Sequence, residues 1–208
     1  MNSRSREISV VNAGGMSYAL LEKIKRSSGR CMMIPVVSVV GKSNSGKTTL
    51  IEKMIGELIR RGYRVATIKH NRHGFEIDHE GKDSWRHKQA GARTTVIASG
   101  RRVAVVEDVD KDLEIGELVD RYIRDVDIVL SEGFKKNPFP KIEVNRMEMN
   151  QELLCSPAEN LLAVCSDRPL TADVPCLDIN DIGGLVDLVE TRFLKSSKYE
   201  ERVGHDGR

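Results

Sequence analysis

The chain reads VVSVVGKSNSGKTT from Val36 to Thr49. The first five residues are mostly β-branched and predict a buried strand. The remainder contains G-x-x-x-x-G-K-T, the pattern of a loop that binds phosphate groups. A helical pattern follows at once, and its apolar face is formed by Leu50, Ile51, Met54, Ile55, Leu58 and Ile59. A strand, a glycine-containing loop and a helix in this order are the context in which the motif binds phosphate.

The residue types in this loop suit a triphosphate. Gly41 and Gly46 allow the backbone to bend, so that successive N–H groups point at the β- and γ-phosphates. The start of the helix adds its positive dipole end, Lys47 can reach the phosphate oxygens, and Thr48 offers a hydroxyl to Mg²⁺. The predicted nucleotide-binding residues are Gly41, Lys42, Ser43, Asn44, Ser45, Gly46, Lys47, Thr48 and Thr49.

Lys42 follows the first glycine of the loop and has two interpretations. A lysine at this place resembles the P-loops of dimeric SIMIBI-class NTPases, in which it reaches the nucleotide of the partner subunit. The alternative is a solvated loop lysine, and the residues alone favour that alternative.

Composition narrows the class of protein. The chain has 208 residues, a length typical of one domain, and a net charge of +2. Because acidic and basic residues are interspersed, no basic stripe predicts binding to nucleic acid. The longest apolar runs have the length of strands, and the N-terminus lacks an apolar signal segment, so we expect no membrane span and a cytoplasmic location. The cysteines lack C-x-x-C spacing and are expected to be reduced thiols: Cys31, Cys155, Cys165 and Cys176.

Strand and helix patterns alternate along most of the chain. Gly62 is expected to end the first helix, and Asp83 with Ser84 to cap the next one. The alternation predicts an α/β fold, with a mainly parallel sheet, helices on both faces, and ligands at the carboxyl ends of the strands. Further strands are predicted at 63–69, 94–98, 103–106, 127–133, 141–144, 161–165 and 176–179, and further helices at 83–90, 113–123 and 182–193.

Glu132 ends the apolar run from Asp127 to Gly133. Such a run fits a Walker B strand, whose terminal carboxylate holds Mg²⁺ through water or orients the attacking water. The alternative is a solvent-exposed acid at the end of a strand. The phosphate loop upstream creates a need for such an acid, so we predict that Glu132 is the catalytic, metal-linked carboxylate.

The segment from His70 to Lys82 is polar and has no periodicity. Its three histidines, near Asp78 and Asp83, suggest a metal site, but the spacing fits no common zinc pattern. A switch-like loop that senses the γ-phosphate and Mg²⁺ explains the polarity better. Asp78 is then a second acid linked to Mg²⁺. The alternative is a solvated connection.

Asp167 follows the predicted strand 161–165. In guanine-specific P-loop proteins, a carboxylate after a late strand accepts hydrogen bonds from N1–H and N2–H₂ of the base. Adenine lacks this donor pair, so one aspartate discriminates through paired and unpaired groups. The alternative is an aspartate that caps the turn before Pro169, and the residues alone do not separate the two.

Four segments together resemble the MobB family, the molybdopterin-guanine dinucleotide biosynthesis proteins B. They are GKSNSGKTTL at the phosphate loop, IKHNRHGFEIDHEGKDSWRHKQAGA after the second strand, DIVLSEGFK at the Walker B strand, and CSDRPL followed by LDINDIGGL near the C-terminus. The phosphate loop is generic, whereas the second and third segments are specific. The resemblance covers about residues 34–195.

The resemblance implies a SIMIBI-like P-loop fold, a homodimer, GTP binding with Mg²⁺ and weak GTP hydrolysis. It also implies an accessory role beside MobA, the transferase that joins GMP to molybdopterin. On this basis we expect an N-terminal extension of unknown role over residues 1–33, a P-loop GTP-binding domain over 34–195 and a polar C-terminal tail over 196–208. By this carry-over Gly46, Lys47 and Thr48 bind phosphate and metal, Glu132 is the Walker B acid, and Asp167 reads guanine.

Two other functions compete with this one. A P-loop small-molecule kinase or ATP-dependent ligase needs an arginine-rich lid, and Arg101 with Arg102 is the nearest pair, on a predicted hairpin. An adaptor without catalytic activity would use GTP only to hold its dimer. Nucleotide competition separates the first alternative from a GTP-binding accessory protein, and measured turnover separates the second.

Overall fold

The computed structural model describes residues 34–71, 74–149 and 152–195. The expected N-terminal extension over 1–33 and the C-terminal tail over 196–208 lie outside the described residues. So do Arg72 and His73 of the predicted switch-like loop.

Strands and helices alternate as far as the third strand, whereas the last four strands follow one another without an α-helix between them. Short 3₁₀ turns at Met147–Met149 and Pro157–Glu159 flank the segment before the seventh strand. The main elements are β1 (Val36–Val40), α1 (Lys47–Arg60), β2 (Val65–Lys69), α2 (Asp83–Gln89), β3 (Thr94–Ala98), β4 (Val103–Glu107), α3 (Ile115–Tyr122), β5 (Ile128–Glu132), β6 (Lys141–Asn145), β7 (Leu161–Ser166), β8 (Cys176–Asp178) and α4 (Ile182–Val189).

Six of these strands form a parallel sheet in the order β2-β5-β1-β6-β7-β8. The P-loop strand β1 lies between β5 and β6, and Val39 pairs in register with Glu132. The carboxyl ends of all six strands therefore meet at one edge, which is where P-loop folds bind their ligands. Strands β3 and β4 form a separate antiparallel hairpin.

Helices cover both faces of the parallel sheet. Helix α3 packs on one face through Ile115, which is buried against Val36 and Val129. Helices α1 and α4 pack on the other face, and α4 continues as a π-helical turn over Glu190–Leu194. Their core is aliphatic: Val37, Val39, Leu50, Ile51, Met54, Leu58, Leu185, Val186 and Val189. The predicted α/β architecture is confirmed.

Two local predictions about the helices are wrong. Ile59 was assigned to the apolar face of α1, but it is 58 % exposed because it lies in the last turn, on the flank beyond Ile55. Asp83 and Ser84 do not cap α2, since the helix begins at Asp83 and Lys82 precedes it without a side-chain cap. Gly62, with φ of 84°, follows the end of α1 as predicted.

A charged cluster joins α1 to α4. The Arg61 guanidinium lies 2.7 Å from Glu57 Oε1, 2.5 Å from Asp187 Oδ1 and 2.9 Å from Glu190 Oε2. Tyr63 donates its hydroxyl to Glu190 at 2.7 Å. Hydrogen bonds from Arg60 and Arg61 lower the pKa of Glu57 to about 2. The cluster fixes the outer end of α1 against the second helix on the same face.

Two further features of the described residues bear on the predictions. None of their helices is long and apolar enough to cross a membrane. Cys155 and Cys165 are buried free thiols, and Cys176 is an exposed one. Burial raises the pKa of Cys165 to about 12.

Candidate nucleotide-binding site

The loop after β1 has a shape that requires glycine at its first position. Gly41 has φ of 147°, and a Cβ atom there would lie 2.7 Å from the Val144 carbonyl oxygen and 2.8 Å from Ser45 Oγ. Gly46 has φ of 94° and Asn44 has φ of 62°, so the backbone enters the left-handed region twice more before α1 begins. The loop therefore bends tightly around the space in front of α1.

Lys47 is the first residue of α1 and closes this loop. Its Nζ donates to the Lys42 carbonyl at 2.5 Å, and Ser45 N donates to the same oxygen at 3.3 Å. Burial lowers the pKa of Lys47, while the nearby Glu132 opposes that shift and Lys135 adds to it. An ammonium held within the loop, at the start of a helix, is suited to neutralise phosphate oxygens.

Thr48 and Glu132 meet at the edge of the sheet. The Thr48 hydroxyl is 3.1 Å from each of the two carboxylate oxygens of Glu132, although the residues lie 84 positions apart. Lys69 Nζ, at the end of β2, is 3.4 Å from Glu132 Oε1. A hydroxyl and a carboxylate are oxygen ligands of the kind that Mg²⁺ prefers in phosphate-binding sites. Thr48 and Glu132 are thus the residues that fit Mg²⁺.

The chain after Glu132 turns sharply in an unusual conformation. Gly133 has φ of 94° and Phe134 has φ of 51°, a value that a bulky residue rarely adopts. The Phe134 ring packs against His70 with centroids 4.5 Å apart. Asn137 donates its backbone N–H to the Phe134 carbonyl at 3.1 Å and its side-chain amide to the same oxygen. The strained turn is therefore held from both sides.

A buried polar network connects this turn to the P-loop strand. Asn137 Nδ2 donates to Ser38 Oγ at 2.9 Å, and Ser38 Oγ lies 2.7 Å from Ser131 Oγ. Lys141, 1 % exposed, donates its ammonium to the carbonyls of Asn137 (2.6 Å) and Glu159 (2.7 Å). The network fixes the strand that carries Glu132 against the strand that carries the phosphate loop.

The polar segment after β2 contacts this edge at its first residue, His70. His70 donates its backbone N–H to the Glu132 carbonyl at 3.1 Å, and its Nε2 is 2.8 Å from Asp112 Oδ2. Among the described residues, Asp78 forms one hydrogen bond, from His79 N at 2.9 Å, and no ion pair. No described hydrogen bond or ion pair joins Asp78 to Thr48 or Glu132, and its role as a second metal-linked acid stays a prediction. No group of three or more His, Cys, Asp or Glu in the described segments is arranged to hold a metal.

Asp167 follows β7 at the same edge of the sheet. Its Oδ1 accepts from Met147 N at 2.8 Å, and its Oδ2 lies 3.4 Å from Arg146 Nη1. The strand order places β7 two positions from β1, a lateral separation of roughly 10 Å. That separation is on the order of the length of a nucleotide, so a triphosphate at Lys47 and a base near Asp167 are geometrically compatible.

Sequence reasoning missed several residues of this region. Lys69 and Lys135 lie among charges that define the site, yet nothing in their local pattern distinguishes them from solvated lysines. Asn137 is hidden in a short polar segment whose partners are distant in sequence. Phe134 is the exception, because a Gly-Phe pair directly after a Walker B acid suggests a tight turn.

Comparison with known proteins agrees with this geometry. The family model of the molybdopterin guanine dinucleotide synthesis protein B, MobB, matches residues 36–167. The chain is 44 % identical over 158 residues to the molybdopterin-guanine dinucleotide biosynthesis adapter protein of Haemophilus influenzae, covering 76 % of this chain and 88 % of that protein. It is 39 % identical over 163 residues to the protein of that name from Escherichia coli K12, covering 76 % and 92 %.

Solved structures give the same result. The chain superposes on the crystal structure of Bacillus subtilis MobB with a TM-score of 0.62 and 30 % identity, covering 77 % of this chain and 99 % of that chain. It superposes on a crystal structure of molybdopterin-guanine biosynthesis protein B with a TM-score of 0.59 and 28 % identity, covering 76 % and 98 %. The parallel sheet with its glycine loop is therefore a P-loop NTPase α/β fold, and the chain belongs to the MobB family of molybdopterin guanine dinucleotide synthesis proteins.

Proposed function

We propose that this chain is a GTP-binding adapter with weak GTPase activity that assists the attachment of GMP to molybdopterin. The observation that carries the proposal is the 3.1 Å contact between the Thr48 hydroxyl and the Glu132 carboxylate, directly beside Lys47. It joins a phosphate-binding loop to an acid that can hold Mg²⁺. The relatives from Haemophilus influenzae and Escherichia coli are adapter proteins of molybdopterin-guanine dinucleotide biosynthesis, which supports the same role here.

The preference for GTP over ATP depends on Asp167. Its carboxylate is about one-third exposed and lies at the correct edge, where it can exchange its Met147 contact for the N–H donors of guanine. Competition of GTP, ATP, CTP and UTP against a fluorescent guanine nucleotide tests this. We expect GTP to compete at least tenfold better than the others, and equal competition by ATP would contradict the proposal.

Hydrolysis is proposed to be slow and to depend on Glu132. The carboxylate can orient water or a hydrated Mg²⁺, but the described site holds only one such acid close to Thr48. Asp78 stays the proposed second metal-linked acid. A single-turnover assay with GTP and Mg²⁺ tests this proposal. If no phosphate is released, the chain is better described as an adaptor without catalytic activity.

The kinase or ligase alternative gains no support from the arginine pair. Arg101 and Arg102 lie at the turn of the β3–β4 hairpin. This hairpin is not part of the parallel sheet whose strand β1 leads into the phosphate loop. A clamp for a transferred phosphate needs cations that reach the γ-position. Incubation with ATP and a panel of small alcohols and acids should yield no phosphorylated or ligated product.

We further propose that two copies associate through the β3–β4 hairpin. Its strands expose large apolar side chains at Val96 (58 %), Ile97 (43 %), Val103 (67 %) and Val105 (45 %). A short two-stranded sheet that exposes such side chains is typical of a surface that pairs with another chain. Light scattering should give a dimer for the wild-type chain and a monomer for Val103→Glu. Ile59→Glu, at a site that is 58 % exposed on α1, is the matched control and should stay dimeric.

The partners follow from the adapter role. We propose that the dimer engages a MobA-type guanylyltransferase that carries molybdopterin, and that it binds no nucleic acid. With GTP and molybdopterin present, a tagged chain should retain the purified transferase, and Lys47→Ala should retain less of it. Failure of the wild-type chain to retain the transferase under these conditions would count against the accessory role.

A further inference from the structure

Glu143 is a buried acid that the nucleotide site does not use. It lies on β6, the neighbour of the P-loop strand, and is 1 % exposed. Its carboxylate oxygens accept hydrogen bonds from the backbone N–H groups of Leu154 (2.8 and 2.9 Å) and Cys155 (3.0 Å). None of the ion pairs formed within the described segments includes Glu143. A carboxylate has about four acceptor sites, so two N–H donors satisfy it only in part.

A small open cleft is lined by Glu143 together with Lys42 of the phosphate loop. The cleft is open to solvent and admits about one water-sized group. The residues that line it are Lys42, Glu143, Val144, Asn145, Arg146, Met149 and Leu154. The lining therefore includes both a residue of the P-loop and a buried acceptor.

Cations lie around the cleft. Lys42 and Lys135 form no ion pair with any residue that the structure describes. Lys135 is near enough to lower the pKa of both Lys47 and Glu143, although burial is the main influence on each and raises the pKa of Glu143 overall. Arg146 reaches from the cleft to Asp167. The cleft thus combines a buried acceptor, Glu143, with nearby positive charge from lysine and arginine side chains.

We propose that this cleft binds a phosphorylated pterin beside the nucleotide, with Glu143 accepting N–H groups of the pterin and Lys42 and Lys135 contacting its phosphate. A pterin carries a 2-amino group next to a ring N–H, and a carboxylate can accept from both. An amino group has the size of a water molecule, which is the size of group that the cleft admits, and the ring would lie outside it. The assignment rests on the proposed function, which makes a pterin the second ligand.

The Glu143 carboxylate should select ligands that present an N–H donor over ligands that present a carbonyl oxygen. A donor that replaces water at a buried carboxylate restores a hydrogen bond, whereas a carbonyl oxygen at the same place faces the acceptor and leaves both groups unpaired. A lumazine differs from a pterin at this position by having an oxygen in place of the amino group. Guanine presents the same edge as a pterin, so the nucleotide must be saturating when the cleft is tested.

The experiment uses the full chain saturated with a non-hydrolysable GTP analogue and Mg²⁺. The probe is 6-hydroxymethylpterin phosphate, followed by its own fluorescence, and it is compared with the corresponding lumazine phosphate. We expect the wild-type chain to prefer the pterin at least tenfold. Glu143→Gln should reduce that preference to less than threefold. Lys135→Ala should weaken both ligands about tenfold without changing the preference, and the neighbouring Lys136→Ala should change neither.

Each alternative result has a definite meaning. Equal affinity of the wild-type chain for pterin and lumazine overturns the role of Glu143, and this comparison needs no variant to fold. Retention of the preference in Glu143→Gln overturns it as well. A chain that binds the GTP analogue but not the pterin probe overturns the cleft assignment and leaves the nucleotide site standing. A chain that binds neither ligand overturns the proposed function itself.

Discussion

Replacing Glu132 with glutamine removes one negative charge from the proposed magnesium site and keeps the size of the side chain. Both oxygens of the carboxylate lie 3.1 Å from the Thr48 hydroxyl, and Lys69 Nζ lies 3.4 Å from one of them. A contact to a charged group contributes about 1.5–3 kcal/mol, which corresponds to roughly ten- to hundredfold in affinity. We expect GTP affinity in the presence of Mg²⁺ to fall by that factor. Without Mg²⁺ the affinity should change little, because the phosphate loop is intact.

Isothermal calorimetry of GTP, in Mg²⁺ and in EDTA, measures this difference directly. The matched control is Asp127→Asn, which removes a carboxylate paired with Arg64 at 2.8 Å, just before the opposite end of the same strand. The control should keep the full Mg²⁺ effect. If Glu132→Gln keeps it as well, the acid that holds the metal is elsewhere, and Asp78 becomes the next residue to replace.

The other predictions concern phosphate, base and stability. Lys47→Ala should abolish GTP binding in calorimetry while shifting the melting temperature little, since Lys47 is the first residue of α1 and its ammonium contacts the loop and not the core; unchanged affinity would refute the phosphate-loop assignment. Asp167→Asn should weaken GTP at least tenfold more than ATP in the competition assay, and equal losses would leave Asp167 as a turn cap. Arg61→Met should lower the free energy of unfolding by about 2 kcal/mol in urea titrations at pH 7, because it removes several charge-assisted bonds; an unchanged value would mean that the cluster is energetically neutral. Glu57 and Glu190 have pKa values below the ordinary 4.5. Their contribution to the free energy of unfolding is therefore complete above pH 4.5 and is lost as the pH falls toward 2. Arg61→Met should make the free energy of unfolding depend less on pH in this range.

The phosphate loop after β1 and the acid at the end of β5 were predictable from sequence. Val36 to Thr49 forms strand, loop and helix in the order that the motif implies, and Glu132 ends a buried strand beside it. These features depend on local pattern and on the rule that parallel strands end at the same edge. The alternation of elements was enough to predict the parallel sheet with helices on both faces.

The rest depends on contacts between segments that are far apart in sequence. Lys141 and Glu143 are charged residues whose burial nothing in the sequence predicts, yet both are 1 % exposed because residues 154–159 supply backbone partners for them. The contact of Asp167 with Met147 depends on how β6 and β7 continue into their loops. The periodicity of one segment carries no information about such contacts. For the same reason it did not show that Ile59, at the border of the apolar face of α1, is exposed.

The most direct test of the central claim is the rate at which a MobA-type guanylyltransferase forms the guanine dinucleotide from molybdopterin and GTP. The assay compares the transferase alone, with the wild-type chain and with Lys47→Ala, at equal protein concentrations. A GTP-dependent adapter predicts that the wild-type chain raises the rate and that Lys47→Ala, still folded, does not. No stimulation by the wild-type chain, or equal stimulation by both proteins, would contradict the account.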